Sequence, residues 1–314
     1  MKIRFIPVGL TRERKKSKKQ FWGIYKNMEN KFRPEILPLL WILLFFIAPL
    51  FIVLKISFAE SIFKIPPFSE VFKMVEEHLL EIRINLKNYV AIIHDSYYVT
   101  TFLNSVLLSI SATLVCTLFG LPMAYGIHNA RDNIKSILLL SLSLSFWTSI
   151  LIRIYSWMNL LSTHGIVNTL LLKSGVIDFP IQFQGNYYTI CLGMVFCYLP
   201  FMIFPIYAVL EKIDRSYIES AYNLGCRSAK VFWAITVPLS KEGLLTGCIL
   251  VFATSMGEFV IPELLGSAET ITFGRVLWNE FFTNLDWPMA CALSIAMMLF
   301  VILPIFVFQK KAGL

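Results

Sequence analysis

Six long apolar runs alternate with polar segments along this chain. The runs cover residues 36–56, 102–127, 137–160, 189–210, 243–261 and 288–308. Each is near the roughly 20 residues that a helix needs to cross a hydrocarbon core of about 30 Å. Because a bilayer offers the backbone no hydrogen-bond partners, such runs fold as helices. The pattern therefore predicts an all-α, polytopic membrane protein with six transmembrane helices.

The polar segments set the remaining organisation. Residues 57–100 carry apolar positions at helical spacing, which predicts amphipathic surface helices between Glu70 and His94. The five later runs predict a core at 101–308, with a polar insert at 211–241 and a short tail at 309–314. Residues 1–35 form a basic tail, which favours contact with anionic lipid over nucleic acid. Its cluster comprises Arg12, Arg14, Lys15, Lys16, Lys18 and Lys19.

Composition excludes a soluble domain and points away from enzyme chemistry. The chain is 57% hydrophobic and 15% charged, whereas soluble domains are about 45–50% apolar and about 25% charged. The sequence has no metal-binding His pair, nucleophile elbow or phosphate-binding loop. The cysteines form no C-x-x-C pair and are predicted to be buried hydrophobes rather than a disulfide frame or metal site. They are Cys116, Cys191, Cys197, Cys226, Cys248 and Cys291.

The distribution of Lys and Arg predicts the orientation. These residues are concentrated in 1–35, 128–136, 211–241 and the C-terminal tail, and they are sparse in the other loops. The positive-inside rule then places both termini (N-in/C-in) and the insert in the cytoplasm. The opposite face is net acidic, which suits a cationic ligand or a basic partner surface. Alternatively, translocated loops are simply poor in Lys and Arg.

The cytoplasmic insert has the pattern of two short helices broken at a glycine. Asp214 or Ser216 is suited to cap the first helix, and Gly225 to end it in the left-handed conformation. Ser228 is suited to cap the second helix, which Pro238 is expected to stop. The insert is therefore predicted to project as a compact pair of helices, with small residues that let a partner approach closely.

The spacing within this insert resembles the EAA loop of ABC importer permeases. The matching positions are Glu219, Ala221, Gly225, Ile235 and Pro238, with Ser220 and Val237 in place of the usual alanine and leucine. The resemblance implies a type I (MetI-like) permease fold, with these residues in a coupling helix that docks on a cytosolic ATPase dimer. That dimer would bind ATP and Mg, so no cofactor is expected in this chain. An ordinary amphipathic loop is the alternative.

Other segments resemble the polyamine importer permeases of the PotB/PotH type. They are residues 146–157, 175–178, 257–266, 274–282 and 286–288. The resemblance implies a multi-pass protein of the bacterial inner membrane that imports putrescine or spermidine. It also implies a second permease subunit, expected to be a paralogue, and a periplasmic polyamine-binding protein. The alternatives are an importer for iron, a sugar or molybdate, or a channel outside the ABC class.

Two charges inside the apolar runs are candidate substrate-path residues. Arg153 and Glu258 each lie about 22–24 Å along a span if the helices are straight. Ionisable residues at such depth are functional candidates. They could form a structural salt bridge or an outer gate, or Glu258 could be free to meet an amine. The neighbouring aromatics are either part of this path or interface belt residues, and they are Trp147, Tyr155, Trp157 and Tyr198.

Two further sets of residues complete the predictions. The outer-loop carboxylates Asp178, Glu263, Glu280 and Asp286 are candidates for docking the binding protein. Gly243 and Gly247 form a small-residue motif that predicts close packing against a helix of this chain or of a second subunit. Gly257, Pro200 and Pro205 are expected to bend their helices.

Overall fold

The computed structural model describes residues 36–62, 64–69, 72–76, 79–82, 84–267 and 270–312. The predicted basic tail at 1–35 lies outside these residues. The chain divides into two units, residues 1–55 and 56–314. The described part of the first unit is most of helix α1 (Leu37–Ser57), which contains a π-helical stretch at Leu43–Ile47.

The second unit is built from helices and one short hairpin in its described part. Its elements are β1 (Phe72–Glu76), β2 (Leu79–Ile82), α2 (Lys87–His94), α3 (Ser96–Asn129), α4 (Asp132–Trp147), α5 (Ile150–Leu160), α6 (Ile166–Lys173), α7 (Tyr187–Leu210), α8 (Arg215–Asn223), α9 (Ser228–Leu239), α10 (Lys241–Met256), α11 (Val260–Leu265), α12 (Phe273–Trp278) and α13 (Trp287–Ala312).

The membrane-spanning character of the chain is confirmed. Among the described residues, α1, α3, α7 and α13 are long and apolar enough to cross a bilayer. The bent pairs α4/α5 and α9/α10 raise this number to 6 if each pair counts as one span. The predicted six spans are therefore the upper count and stay a prediction.

Helices α3, α7 and α10 form the core of the second unit. Glycine permits their close contact, since a Cβ at Gly243 would lie 2.6 Å from the Pro205 carbonyl oxygen. A Cβ at Gly247 would lie 3.2 Å from the Met202 carbonyl oxygen. Both neighbours belong to α7, so the small-residue motif serves a helix contact within this chain.

The third apolar run is not one straight helix. The prediction of a span over 137–160 was wrong in this respect, because α4 and α5 meet at a bend of 97°. Thr148 and Ser149 have extended backbones there, with ψ of 137° and 134°. Hydrophobicity continues through this break, so the apolar pattern could not register the change of direction. The depth calculated for Arg153 along a straight helix is therefore invalid.

The fifth apolar run also ends earlier than its predicted limit at residue 261. Helix α10 stops at Met256, and Gly257 is its C-cap, which confirms the bend expected there. Helix α12 packs against the irregular backbone that follows. A Cβ at Gly274 would lie 2.9 Å and 2.8 Å from the carbonyl oxygens of Gly257 and Glu258. Only glycine lets the start of α12 approach this break so closely.

A hairpin replaces part of the predicted amphipathic helices in 57–100. Strands β1 and β2 are antiparallel, with Phe72 opposite Ile82, Lys73 opposite Glu81 and Met74 opposite Leu80. A short run of this kind fits either period. The helical prediction is confirmed only for α2, at Lys87–His94.

Candidate functional site

Helices α8 and α9 form the first candidate site, here called the coupling element (residues 211–241). Asp214 is the N-cap of α8, and its carboxylate accepts a hydrogen bond of 2.9 Å from the Ser216 N–H. This backbone hydrogen bond lowers the pKa of Asp214, because it stabilises the ionised form. Of the two predicted caps, the structure therefore selects Asp214.

The break between the two helices is the predicted left-handed turn. Gly225 has a φ of +79°. The Gly225 N–H donates to the Tyr222 carbonyl at 2.9 Å, and the Cys226 N–H donates to the Ala221 carbonyl at 3.1 Å. These two bonds define a Schellman motif, which satisfies carbonyls that the helix end leaves free.

The second helix differs from its prediction at both ends. Its N-cap is Arg227 rather than Ser228, and no side chain caps it. Pro238 does not stop it, since the helix continues to Leu239. A π-helical stretch at Phe232–Thr236 ends two residues before Pro238. The wider hydrogen-bond spacing of a π-helix accommodates a residue that lacks an N–H. At Ser240 the chain then bends by 67° into α10.

The coupling element buries Ala221 but exposes most of its other small residues and several large side chains. Ala221 is buried, so its size serves packing within this chain rather than a partner's approach. Glu219, Ser220, Gly225 and Pro238 are exposed, whereas Ile235 is half-buried. Tyr217, Leu224 and Trp233 expose 60%, 84% and 67% of their surface. Exposed aromatic and leucine side chains beside a rigid turn are typical of a protein-docking surface.

A charged cluster that the sequence did not indicate lies at the root of the coupling element. Glu211, the C-cap of α7, accepts from Lys135 Nζ at 2.7 Å and lies 3.4 Å from His128 Nδ1. The Lys135 ammonium also lies 5.5 Å from the centre of the Tyr207 ring. The Lys135 hydrogen bond is the main cause that lowers the pKa of Glu211 to about 2. No local pattern could reveal a cluster whose members come from three helices.

The second candidate site surrounds Glu258, in the break after α10. Its carboxylate accepts the Val260 N–H at 2.8 Å, the Ile261 N–H at 3.3 Å and the Tyr198 hydroxyl. The two backbone bonds satisfy the first turn of α11. Glu258 therefore fixes α11 and joins it to α7, which sequence reasoning did not foresee.

Arg153 does not pair with Glu258 in the structure. Among the described residues, no salt bridge within 4.0 Å joins them. The Arg153 Nε is buried without a hydrogen-bond partner. The predicted salt bridge is therefore absent from this conformation, whether structural or gating.

The four candidate aromatics do not share one environment. Tyr198 is buried, whereas Trp147 exposes 85% and Tyr155 exposes 46% of its surface. The Trp157 ring lies edge-on to Phe196 at 5.1 Å. Only Tyr198 contacts a candidate charge, so Glu258 and Tyr198 are the members of the predicted path that the structure brings together.

Three of the four outer carboxylates have partners within the chain. Glu263 forms a 2.6 Å salt bridge with Arg275. Glu280 accepts from Tyr98 and Asn284 at 3.0 Å and 2.9 Å.

Asp286 accepts the Met289 N–H at 3.1 Å, which makes it an N-cap of α13. Asp178 is exposed. Glu280 and Asp286 also line a cavity of 580 Å³ together with Lys64 and Asn284. Glu263, Glu280 and Asp286 therefore organise the loops that contain them, and the role of all four carboxylates in docking stays a prediction. The described residues contain no group of His, Cys, Asp and Glu able to hold a metal ion.

Comparison with known proteins connects these features to one family. The model of the family described as binding-protein-dependent transport system inner membrane component matches residues 36–310. The spermidine/putrescine transport system permease protein PotB of Haemophilus influenzae is 31% identical over 291 residues, which are 91% of this chain and 96% of that protein. PotB of Escherichia coli K12 is 32% identical over 274 residues, 87% and 94% of the two chains.

The fold agrees with this assignment. A bacterial alginate ABC transporter, crystallised in complex with an alginate pentasaccharide-bound periplasmic protein, matches with a TM-score of 0.64 at 16% identity. The match covers 95% of this chain and 96% of the other. The chain therefore belongs to the family of binding-protein-dependent transport system inner membrane components, as an ABC permease of the PotB/PotH type.

Proposed function

We propose that this chain is a transmembrane subunit of an ATP-driven importer that takes up polyamines delivered by a periplasmic binding protein. The observation that carries the proposal is the similarity to spermidine/putrescine permeases over about nine-tenths of the chain, 91% for the Haemophilus influenzae protein. As a member of its family the chain is a multi-pass protein of the inner membrane. A cytosolic ATPase dimer would bind ATP and Mg, and a second, paralogous permease would complete the pore.

The coupling element is the proposed receiver of ATPase movement. Its Schellman turn at Gly225 fixes α8 relative to α9, so a force on one helix reaches the other. Exposed Tyr217 and Leu224 supply the apolar contact, and Glu219 supplies charge at its edge. The excess of Lys and Arg on this side supports its cytoplasmic location.

The chemistry of a polyamine suits the opposite face. A polyamine carries several ammonium groups on an apolar chain, so carboxylates and aromatic faces both attract it. The cavity lined by Glu280 and Asp286 offers the carboxylates, and Lys64 lines it as well. Phe281 and Trp287, which neighbour these carboxylates in sequence, stack with ring centres 5.2 Å apart. The same carboxylates could instead orient the binding protein.

Stimulation of ATP hydrolysis tests the proposal. The complete complex, in nanodiscs, is mixed with its solute-binding protein loaded with putrescine, spermidine, molybdate, iron or a sugar. Polyamine-loaded binding protein is expected to raise the rate of hydrolysis several-fold over the unloaded protein. Stimulation by another solute but not by polyamines would assign a different cargo. Hydrolysis unaffected by any loaded protein would contradict the importer function itself.

A further inference from the structure

The cluster at the root of the coupling element joins the α3–α4 turn to the end of α7, which lies 76 to 83 residues further along the chain. His128 is in the last turn of α3, Lys135 is in the first turn of α4, and Glu211 ends α7. Glu211 holds both basic side chains through different oxygens, Oε1 to Lys135 and Oε2 to His128. One carboxylate therefore connects the α3–α4 turn to α7.

The burial of the cluster gives this connection its strength. The side chains of Lys135 and His128 expose only 14% and 7% of their surface, whereas Glu211 exposes 42%. Water competes weakly for mostly buried groups, so their hydrogen bonds to a carboxylate are strong. Loss of the carboxylate would leave the Lys135 ammonium without the counter-charge that it contacts at 2.7 Å.

The position of Glu211 links the cluster to the coupling element. Asp214, the N-cap of α8, follows only three residues later. The intervening turn is tied down, since the Lys212 and Ile213 N–H groups donate to the Val209 and Leu210 carbonyls at 3.0 Å and 3.2 Å. A displacement of α8 therefore reaches Glu211 without a flexible linker.

A second contact supports the same connection. The Phe232 ring of α9 packs edge-on against Tyr125 of α3, with ring centres 4.9 Å apart. The coupling element thus meets the end of α3 at two points, one polar and one aromatic.

We propose that Glu211, paired with Lys135 and His128, is a positioning residue that transmits movement of the coupling element to α3 and α4. This inference rests on the proposed function for its role in transport. These two contacts of Glu211 make the α3–α4 turn and α8 move as one body during the ATPase cycle. Without it, α8 would move with the ATPase while α3 and α4 lag behind, so ATP would be hydrolysed with less solute moved.

The first test measures solute accumulated per ATP hydrolysed by the complete complex in proteoliposomes. Glu211→Gln is expected to lower this ratio about tenfold, within the usual range of coupling between sites. The matched control is Asp132→Asn, which removes an exposed carboxylate from the same turn, and its ratio should stay within about twofold of the wild-type value.

The charge swap, Glu211→Lys combined with Lys135→Glu, should recover most of the ratio that Glu211→Gln loses. An unchanged ratio in Glu211→Gln, with only a lower melting temperature, would overturn the inference, because a merely stabilising contact does not alter stoichiometry.

The second test does not depend on the cargo. Spin labels are attached at Asn133 and Asn223, in a background without the native cysteines, and their distance is measured with and without bound nucleotide. The wild-type chain should keep one narrow distance distribution in both states, whereas Glu211→Gln should broaden it. Equal distributions in the two proteins would overturn the inference. A wild-type complex without ATP-driven polyamine uptake would instead contradict the proposed function, and the label distances would still test the connection.

Discussion

Replacement of Gly225 by alanine tests the shape of the coupling element. The native φ of +79° lies in the left-handed region, where a residue with a Cβ costs about 1–2 kcal/mol. A Cβ built at Gly225 meets no atom within 4 Å, so the cost is conformational and not steric crowding by neighbours. The population of the Schellman turn relative to alternative conformations should then fall by a factor of about 5–30.

Affinity for the cytosolic ATPase is the appropriate assay. The dissociation constant of Gly225→Ala, measured by calorimetry on the permease pair in nanodiscs, should rise by at most about 5–30-fold, because the apparent affinity falls with the fraction of free permease that holds the turn. Gly225→Asn is the first control, because asparagine tolerates the left-handed conformation, and it should bind more tightly than the alanine variant. Gly126→Ala is the second, since Gly126 is helical and equally open, and it should leave affinity unchanged.

Two outcomes would refute this reasoning. Wild-type affinity in Gly225→Ala would mean that the left-handed turn is not needed for docking. Equal loss in the alanine and asparagine variants would mean that the absence of a side chain, rather than the backbone conformation, is what the ATPase requires.

Three further predictions concern the membrane core and the charged sites. Gly243→Ala should destabilise the permease by about 1–3 kcal/mol through overpacking, since its Cβ would lie 2.6 Å from the Pro205 carbonyl oxygen. Thermal unfolding in detergent checks this, and an unchanged melting temperature would contradict the close helix contact. Arg153→Gln should not rescue uptake in Glu258→Gln, since no salt bridge joins the two, and rescue in a transport assay would show that the pair forms during the cycle. The depressed pKa of Glu211, about 2 against 4.5, means that its ion pair with Lys135 stabilises the protein at neutral pH and is lost as pH falls through that range. The melting-temperature difference between wild type and Glu211→Gln should therefore be constant above about pH 5 and shrink below it, and a constant difference down to the most acid pH would contradict the pairing.

The sequence predicted the features that depend on local pattern. The long apolar runs located the helices that can cross a membrane, because a helix of about 20 apolar residues matches the thickness of the hydrocarbon core. Gly225 marked a helix break correctly, because glycine readily adopts the left-handed conformation that ends a helix. Gly257 also lies at a helix end, but with an ordinary φ of −91°. The two-helix form of the coupling element could therefore be predicted from the break at Gly225.

The directions of the helices and the contacts between residues distant in sequence could not be predicted in the same way. Thr148 and Ser149 turn the chain by 97° within an apolar run whose hydrophobicity does not change. Arg153 therefore does not lie at the depth expected for a straight helix. The hairpin at 72–82 carries a pattern that both helices and strands accept.

The partners of Glu258 and Glu211 come from other helices, and only the packed structure brings them together. Pro238 does not end the helix as predicted, because the wider hydrogen-bond spacing of the preceding π-helical stretch accommodates a residue that lacks an N–H.

ATP-dependent accumulation of a polyamine is the decisive assay for the proposed import function. Proteoliposomes containing this chain, its partner permease and the ATPase enclose ATP, and radiolabelled spermidine is supplied with its binding protein. Spermidine should accumulate above the external concentration, and omission of the ATPase, the binding protein or ATP should abolish accumulation. Uptake that continues without the ATPase, or accumulation of molybdate or a sugar in place of spermidine, would contradict the account.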